Sequence, residues 1–192
     1  MMIELTTPLN KEDIIPLQAG DWVTLSGKIF IMRDRTHYRL FEEQVDPPEP
    51  LAGYAVLHAA PSYRKIDGKY EILTVGPTTS MRMEKYTPEL LTRYGVKAII
   101  GKGGMGDETR KSLQLNSAIY LEYVGGTSAL LLDQITEVTH VWWEDLYGEA
   151  LFEINVLKMG PMLVSMDSHG KDLFKDVSNA AKSKIDKIIE KS

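Results

Sequence analysis

Cysteine is absent from this chain of 192 residues. Its absence excludes a disulfide framework, a Cys-ligated zinc, a thiolate nucleophile and an iron–sulfur cluster held by the chain's own thiolates. Histidine is scarce, with four residues, and no pair of histidines has the H-x₃-H spacing typical of a metal site. Any chemistry must therefore come from oxygen and nitrogen side chains of this chain, or from a partner.

Long apolar runs and an excess of positive charge are also lacking. No stretch approaches the roughly 18 continuous apolar residues that a membrane helix requires. Residues 1–20 contain no apolar core of a secretory signal. With 22 Lys+Arg against 27 Asp+Glu, the net charge of −5 argues against general nucleic-acid binding, which needs a basic footprint. We expect a cytoplasmic protein with neither a membrane nor a nucleic-acid partner.

Strand and helix patterns alternate along the chain. Apolar residues alternate from Val23 to Ile31, which indicates a strand, and helical spacing follows with Asp34 as the N-cap. Further strands are expected at 54–57, 72–75, 96–100, 118–124, 135–143, 151–157 and 162–166, and further helices at 88–94, from Asp107, at 128–134 after Thr127, and from Lys171. This alternation predicts a mixed α/β sheet. No linker divides the chain, so we expect an N-terminal arm (1–20) and a single domain (21–192).

Two further expectations concern packing. The apolar runs at 54–57 and 72–75 flank a turn at 66–69, so they are expected to pair with each other. The segment from Lys171 has apolar residues at helical spacing with lysines between them, which predicts an amphipathic helix that closes the core. These apolar residues are Leu173, Phe174, Val177, Ala181, Ile185, Ile188 and Ile189.

Three segments place polar or glycine residues between a strand and a helix, where ligands bind in open α/β sheets. The first segment contains Arg33, Asp34 and His37. Asp34 precedes His37 by three residues, so its carboxylate can orient the imidazole or hold it charged, and histidine titrates near neutral pH. The competing interpretation is a surface helix cap beside a partly exposed histidine, because exposed ion pairs are common.

The second and third segments are rich in hydroxyls and glycines. Residues 76–82, GPTTSMR, offer three hydroxyls and a guanidinium that can converge on a small anion, although hydroxyl residues also cap helices. Residues 101–106, GKGGMG, satisfy G-x-G-x-x-G, with Glu122 where a ribose-binding acid would lie. A nucleotide site is therefore an alternative. Against it, the following helix is expected to be short, and the lysine of the loop suits a fixed anionic group equally well.

Several short sequence strings follow one another in a fixed order along the chain. They are RD at 33–34 with His37, GPTTSMRM at 76–83, GKGG at 101–104, VGG at 124–126, EDL at 144–146 with EA at 149–150, and VSMDSHG at 164–170. With these strings the chain resembles the β subunit of two-subunit class I fumarases and L-tartrate dehydratases, which is homologous to the C-terminal domain of single-chain class I fumarases. The resemblance extends from about Thr6 to Gly170.

The resemblance implies a fold, a partner and a cofactor. The family's fold is a swivelling β/β/α domain similar to the mobile domain of aconitases. Its 4Fe-4S cluster is held by three cysteines of the α subunit, so this chain would bind no metal itself and would be active only with that subunit. The resemblance therefore implies a heteromer in which this chain closes over the partner's cluster.

The resemblance also assigns roles to individual residues. Arg33, Arg82 and Lys102 match the substrate-binding positions, and guanidinium and ammonium groups suit a dicarboxylate. The same loops contribute Thr79, Ser80 and Gly103. Thr78 matches the family residue proposed as the base at carbon, a role that requires an alkoxide stabilised by nearby cations and N–H groups. His37, oriented by Asp34, is the alternative proton carrier, with the better intrinsic pKa.

The implied reaction is the reversible hydration of fumarate to (S)-malate. The strings at 76–83 and 165–170 suit tartrate dehydratases as well, whereas those at 124–126, 144–146 and 149–150 look more like fumarases. We therefore favour fumarate, with L-tartrate dehydratase as the alternative. A dicarboxylate-binding module without catalysis is the alternative outside the enzymes.

Overall fold

A computed structural model describes residues 2–126 and 128–189 of the chain, without the side chains of residue 128 and of residues 186–189. Thr127, expected to precede a helix, and the side chains of Ile188 and Ile189, expected on the apolar face of the C-terminal helix, lie outside the described residues. Within these limits the strands are β1 (Met2–Thr6), β2 (Trp22–Met32), β3 (Ala55–His58), β4 (Ser62–Ile66), β5 (Lys69–Thr74), β6 (Ala98–Gly101), β7 (Ile119–Glu122), β8 (Ile135–Trp142) and β9 (Leu151–Met166). The helices are α1 (Lys11–Ile14), α2 (Asp34–Phe41), α3 (Thr87–Tyr94), α4 (Asp107–Asn116), α5 (Ser128–Gln134) and α6 (Leu173–Ile189), with 3-10 turns at Ser80–Met83 and Glu144–Glu149.

Seven of the described strands form one sheet in the order β1-β2-β3-β6-β7-β9-β8, and β4 and β5 form a separate hairpin. The β2, β3, β6 and β7 strands run parallel to their neighbours in that series, whereas β9 is antiparallel to both β7 and β2. These pairings close a hydrogen-bonded ring of five strands. The predicted mixed α/β sheet is confirmed, and the assignment to a swivelling aconitase-like domain stays a prediction.

The sheet separates two hydrophobic cores. Alternate residues of β2 enter different cores, with Ile29 and Ile31 in one and Phe30 and Met32 in the other. The first core is filled mainly by strand residues, and the second also contains apolar residues of α2, α3 and α4. Because β2 is covered on both faces along this part, its sequence is continuously apolar there.

Helix boundaries shift by one residue from the expected caps. Asp34 is the first residue of α2 rather than its N-cap, which is Arg33, and Tyr86 rather than Thr87 precedes α3. Asp107 likewise opens α4, which extends over ten residues and is longer than expected. Gly95 is confirmed as the C-cap of α3, with a φ of 67° that favours glycine.

Two strand predictions are wrong in their pairing or extent. The β3 strand lies between β2 and β6, and β5 pairs with β4 across the turn instead. β4 was not anticipated because its sequence, SYRKI, is largely polar and exposed. The strands expected at 151–157 and 162–166 form the single strand β9, and the polar interruption between them includes Lys158, which has a positive φ.

The two ends of the chain pack differently. The β1 strand pairs with β2, and Leu5 and Leu17 are buried in the first core, while the division into an arm and a domain stays a prediction. The C-terminal helix forms, but Val177 is 69% exposed and Ile185 is 54% exposed. The prediction that this helix closes the core is therefore wrong for Val177 and Ile185, because helical spacing does not reveal what a face packs against. None of the described helices is long and apolar enough to cross a membrane.

Candidate active site

The three candidate segments meet at the carboxyl ends of the parallel strands β2, β3 and β6. Thr78 donates its backbone N–H to the carbonyl of His58, the last residue of β3, at 2.8 Å. Lys102, directly after β6, donates its backbone N–H to the Thr78 carbonyl at 3.2 Å, and its own carbonyl accepts the backbone N–H of Ser80 at 3.0 Å. Residues 78–80 thus continue the sheet between β3 and β6, which fixes Thr78 beside Lys102.

Two arginines are joined by one carboxylate. Oδ2 of Asp34 lies 3.0 Å from Nε of Arg33 and 2.8 Å from a terminal nitrogen of Arg82. Glu149 approaches Arg33 at 3.8 Å and accepts the backbone N–H of Arg35 at 2.7 Å. The side chain of Arg82 is half exposed, so its remaining donors can reach a ligand. Asp34 therefore positions guanidinium groups, which differs from the expectation that it orients His37.

His37 is fully buried beneath this cluster. Its Nδ1 donates to the carbonyl of Arg33 at 2.8 Å, and its ring stacks on Tyr86 at a centroid distance of 5.8 Å. Burial lowers the pKa of His37 to about 4, against smaller opposing effects of the Arg33 carbonyl and Asp34. His37 is consequently neutral near pH 7, and the partly exposed histidine of the competing interpretation is not what the structure has.

The three hydroxyls of residues 78–80 have different surroundings. Thr78 is half-buried and donates its hydroxyl to the His58 carbonyl at 3.1 Å, whereas Thr79 is exposed. Ser80 is fully buried, and its Oγ lies 2.9 Å from Nδ1 of His58. Thr78 and Thr79 are thus open to a ligand, while the Ser80 hydroxyl is engaged inside the chain. The roles predicted for these three residues stay predictions.

The glycine loop after β6 is held by alternate residues of β7. Gly103 donates its N–H to Glu122 at 3.0 Å, and its carbonyl accepts the hydroxyl of Tyr120 at 2.6 Å. Burial raises the pKa of Glu122, and the Gly103 N–H and the ammonium of Lys102 oppose that shift. Lys102 itself is exposed and passes over Gly125, where a Cβ would lie 2.8 Å from its Cδ. The loop therefore directs the side chain of Lys102 outward, over Gly125.

The same loop does not have the arrangement of a phosphate cradle. Oε2 of Glu84 accepts the N–H of Gly106 at 2.7 Å, and its Oε1 accepts the N–H of Thr109 at 3.0 Å. Phosphate binding at a helix N-terminus uses such N–H groups, yet here they already donate to a carboxylate, as does Gly103 N–H. The geometry disfavours the nucleotide alternative.

Sequence reasoning missed several residues around the site. His58 and Tyr120 were not assigned roles, although Tyr120 and Glu122 are two apart on a predicted strand and so share a face. Glu149 entered only as part of a family string, and its contact with Arg33 spans more than a hundred residues of sequence. The spacing of Tyr120 and Glu122 on β7 could have indicated that they act on the same loop, whereas no nearby sequence feature indicates the position of Glu149.

The chain's own residues do not fit an iron–sulfur cluster. It has no cysteine, and among residues 2–126 and 128–189 no three His, Asp or Glu side chains are grouped to hold a metal ion. The cluster ligated by a partner's cysteines stays a prediction.

Comparison with known proteins identifies the family. A family model described as "Fumarase C-terminus" matches residues 1–177. The chain is 38% identical to the L(+)-tartrate dehydratase subunit beta of Escherichia coli (strain K12), over 97% of this chain and 93% of the relative. It is 34% identical to the putative L(+)-tartrate dehydratase subunit beta of Methanocaldococcus jannaschii, over 94% of this chain and 95% of the relative. It is also 34% identical to the putative fumarate hydratase class I of Geobacillus stearothermophilus, where 98% of this chain covers 37% of the relative. The expected resemblance is confirmed, and the chain belongs to the Fumarase C-terminus family.

Proposed function

We propose that this chain is the β subunit of a hydro-lyase that acts on a four-carbon dicarboxylate, with L(+)-tartrate as the first candidate. The observation that carries the proposal is a pair of arginines joined by Asp34, Arg33 and Arg82, together with a lysine, Lys102, that pairs through its main chain with the half-buried Thr78. Relatives named as tartrate dehydratase β subunits, which this chain covers almost completely, support tartrate. These relatives favour L-tartrate, the alternative substrate, over fumarate. The strings at 124–126, 144–146 and 149–150 favour fumarate instead.

The cations of the site suit a dianionic substrate. Guanidinium groups bind carboxylates through paired N–H donors, and an ammonium contributes a compact charge. Arg33 and Arg82 are held together by Asp34, so both can face one carboxylate of the substrate. Lys102, which is exposed and pairs with Thr78 through the main chain, is available for the second. The overall negative charge of the chain thus coexists with a local cationic site.

Dehydration of tartrate breaks a C–H bond on one carbon and a C–O bond on its neighbour, and the proton and hydroxide leave as water. The proton lies α to a carboxylate, so its removal requires stabilisation of the negative charge that develops. Thr78 presents a hydroxyl that a substrate between the cations can reach, and in its protonated form this hydroxyl donates to the His58 carbonyl. A threonine hydroxyl is a weak base, so the nearby cations must stabilise its deprotonated form. We therefore propose Thr78, rather than the buried His37, as the residue that handles this proton.

The subunit designation of the relatives supports a partner chain. We propose that an α subunit completes the site and holds the cluster implied by the family resemblance, because this chain has no cysteine. The two chains together would form the active enzyme.

Fumarate is the second candidate substrate. The Geobacillus relative named as a putative fumarate hydratase supports it. Fumarate lacks the hydroxyls of tartrate, so a site built to bond a hydroxyl would discriminate against it strongly.

The test is to co-express the chain with its partner, reconstitute the complex anaerobically with iron and sulfide, and measure kcat/KM on L-tartrate and fumarate. We expect higher kcat/KM on L-tartrate, and a preference for fumarate would replace tartrate by the second candidate. Tight dicarboxylate binding without turnover of either compound would instead support a binding module.

Two arginine variants test the substrate-binding role. Arg82→Gln should raise KM about tenfold or more, because a charged hydrogen bond contributes about 1.5–3 kcal/mol. Arg64→Gln is the matched control, since Arg64 is exposed on the β4–β5 hairpin and paired with Glu71. Equal KM values for the two variants would contradict the assignment of Arg82.

A further inference from the structure

A row of buried polar side chains lies next to Thr78 and Lys102. Nδ1 of His58 is 2.9 Å from Oγ of Ser80. The hydroxyls of Ser80 and Tyr120 both face Gly101, where an added Cβ would overlap the first and lie 3.0 Å from the second, and Tyr120 donates to the carbonyl of Gly103 at 2.6 Å. His58, Ser80 and Tyr120 are fully buried. We call these three side chains and the Gly103 carbonyl the Tyr120 chain.

One hydrogen bond of the Tyr120 chain has a fixed donor. The Gly103 carbonyl can only accept, so the Tyr120 hydroxyl uses its proton there and turns acceptor lone pairs toward the neighbouring Ser80. Ser80 pairs with Nδ1 of His58 on its other side. Burial lowers the pKa of His58 well below its usual range, which agrees with a neutral ring.

Ser80 and Gly103, the two neighbours of Tyr120 in this chain, belong to the two loops that form the site. Ser80 follows Thr78 and Thr79, and Gly103 follows Lys102. Gly101 allows the connection, because a Cβ there would overlap the Ser80 hydroxyl and approach the Tyr120 hydroxyl at 3.0 Å. Glu122 holds the N–H of Gly103 from the same strand. Both polar groups of the Gly103 backbone are therefore fixed by side chains of β7.

We propose that Tyr120 is a positioning residue that sets the placement of Thr78 relative to Lys102 by linking Ser80 to Gly103. The proposal rests on the proposed hydro-lyase function and deepens it. It also gives Ser80 a supporting role in place of direct contact with substrate. Small misplacements of reacting groups are costly, with a 1 Å error lowering rates by about a hundredfold.

The main test compares Tyr120→Phe with Tyr123→Phe in the reconstituted complex. Both changes remove one phenol hydroxyl from nearly adjacent, buried tyrosines, and the Tyr123 hydroxyl donates to Gln134 at 3.1 Å. Tyr120→Phe should lower kcat about tenfold to a hundredfold with a smaller change in KM. Tyr123→Phe should leave kcat near the wild-type value. Equal kcat values for the two variants would overturn the proposal, whereas an inactive wild-type complex would instead refute the proposed function.

A second measurement uses this chain without activity. In hydrogen exchange, Tyr120→Phe should accelerate exchange of the Gly103 amide, because the loop loses one of its two anchors on β7. Tyr123→Phe should not accelerate it. Unchanged exchange at Gly103 in Tyr120→Phe would refute the anchoring, irrespective of the partner.

A double-mutant cycle separates the Tyr120 chain from direct substrate contact by Ser80. If Ser80 acts through Tyr120, the losses in kcat caused by Ser80→Ala and Tyr120→Phe should be non-additive. Additive losses would place Ser80 in direct contact with substrate and contradict the proposal. Ser80→Ala is small enough to report on the chain if Tyr120→Phe fails to fold.

Discussion

Replacing His37 by phenylalanine should flatten the dependence of stability on pH. Burial lowers the pKa of His37 from 6.5 to about 4, so between these values the folded state binds fewer protons than the unfolded state. The contribution of neutral His37 is complete above pH 6.5 and is lost as the pH falls toward 4. At about 1.36 kcal/mol per pKa unit, the wild type should lose about 2 kcal/mol between pH 7 and 5, and about 3 kcal/mol by pH 4, from this residue.

Phenylalanine suits the site sterically because His37 stacks between aromatic rings. Its ring centroid lies 5.8 Å from that of Tyr86 and 6.3 Å from that of Phe41. The Arg33 carbonyl also keeps its bond to the backbone N–H of residue 37 after the change, at 2.9 Å. The variant should therefore fold, so that its pH profile can be compared with that of the wild type.

The assay is urea unfolding of this chain at pH values from 7 to 4, with and without the substitution. Buried His58 also has a lowered pKa, so the His37→Phe profile should retain part of its slope. His140→Phe is the control, since the side chain of His140 is 60% exposed. Parallel profiles for the wild type and His37→Phe would refute the reasoning, as would an equal flattening by His140→Phe.

Three further stability predictions follow from burial and contact. Burial raises the pKa of Glu122, so the stability of the chain should fall as the pH rises from 4.5 through that raised value. Glu122→Gln should therefore raise the thermal midpoint of unfolding at pH 7 but not below pH 4.5. A difference in thermal midpoint that does not depend on pH would contradict this. Gly101→Ala should cost about 1–3 kcal/mol in urea unfolding because its methyl would overlap the Ser80 hydroxyl. Gly76→Ala, whose Cβ meets no atom within 4 Å, should cost much less, and equal costs would refute the crowding. Val177→Ser on exposed α6 should change stability by less than about 0.5 kcal/mol, and a loss above about 2 kcal/mol would show that this face is packed.

The site could be predicted from sequence as far as strand ends determine it. Arg33 and Lys102 follow the predicted strands β2 and β6, and the carboxyl ends of parallel strands lie at one edge of a sheet. Thr78 follows β5, which lies in the separate hairpin, so its main-chain pairing with Lys102 is not a consequence of that topology. The order of strands along the chain was therefore sufficient to bring Arg33 and Lys102 to one edge, but not to place Thr78 there.

Side-chain partners could not be predicted in the same way. Asp34 and His37 are neighbours on α2, so local spacing favoured a bond between them. The competing partner of Asp34 is Arg82, which only the folded chain brings to 2.8 Å. The burial of His37 likewise depends on Tyr86, from a distant segment. The exposure of α6 has the same origin, because periodicity identifies a face but not the element that covers it.

The most direct test of the central claim is the turnover of Thr78→Val in the reconstituted complex, beside Thr78→Ser as the matched control. Valine keeps the shape of threonine and removes the hydroxyl, while serine retains it. If Thr78 handles the proton at carbon, Thr78→Val should lower kcat by about a hundredfold to ten-thousandfold, with KM within about threefold, because acid–base groups contribute on that scale. Thr78→Ser should retain measurable turnover on the same substrate. A Thr78→Val complex that keeps more than about a tenth of wild-type kcat would contradict the account.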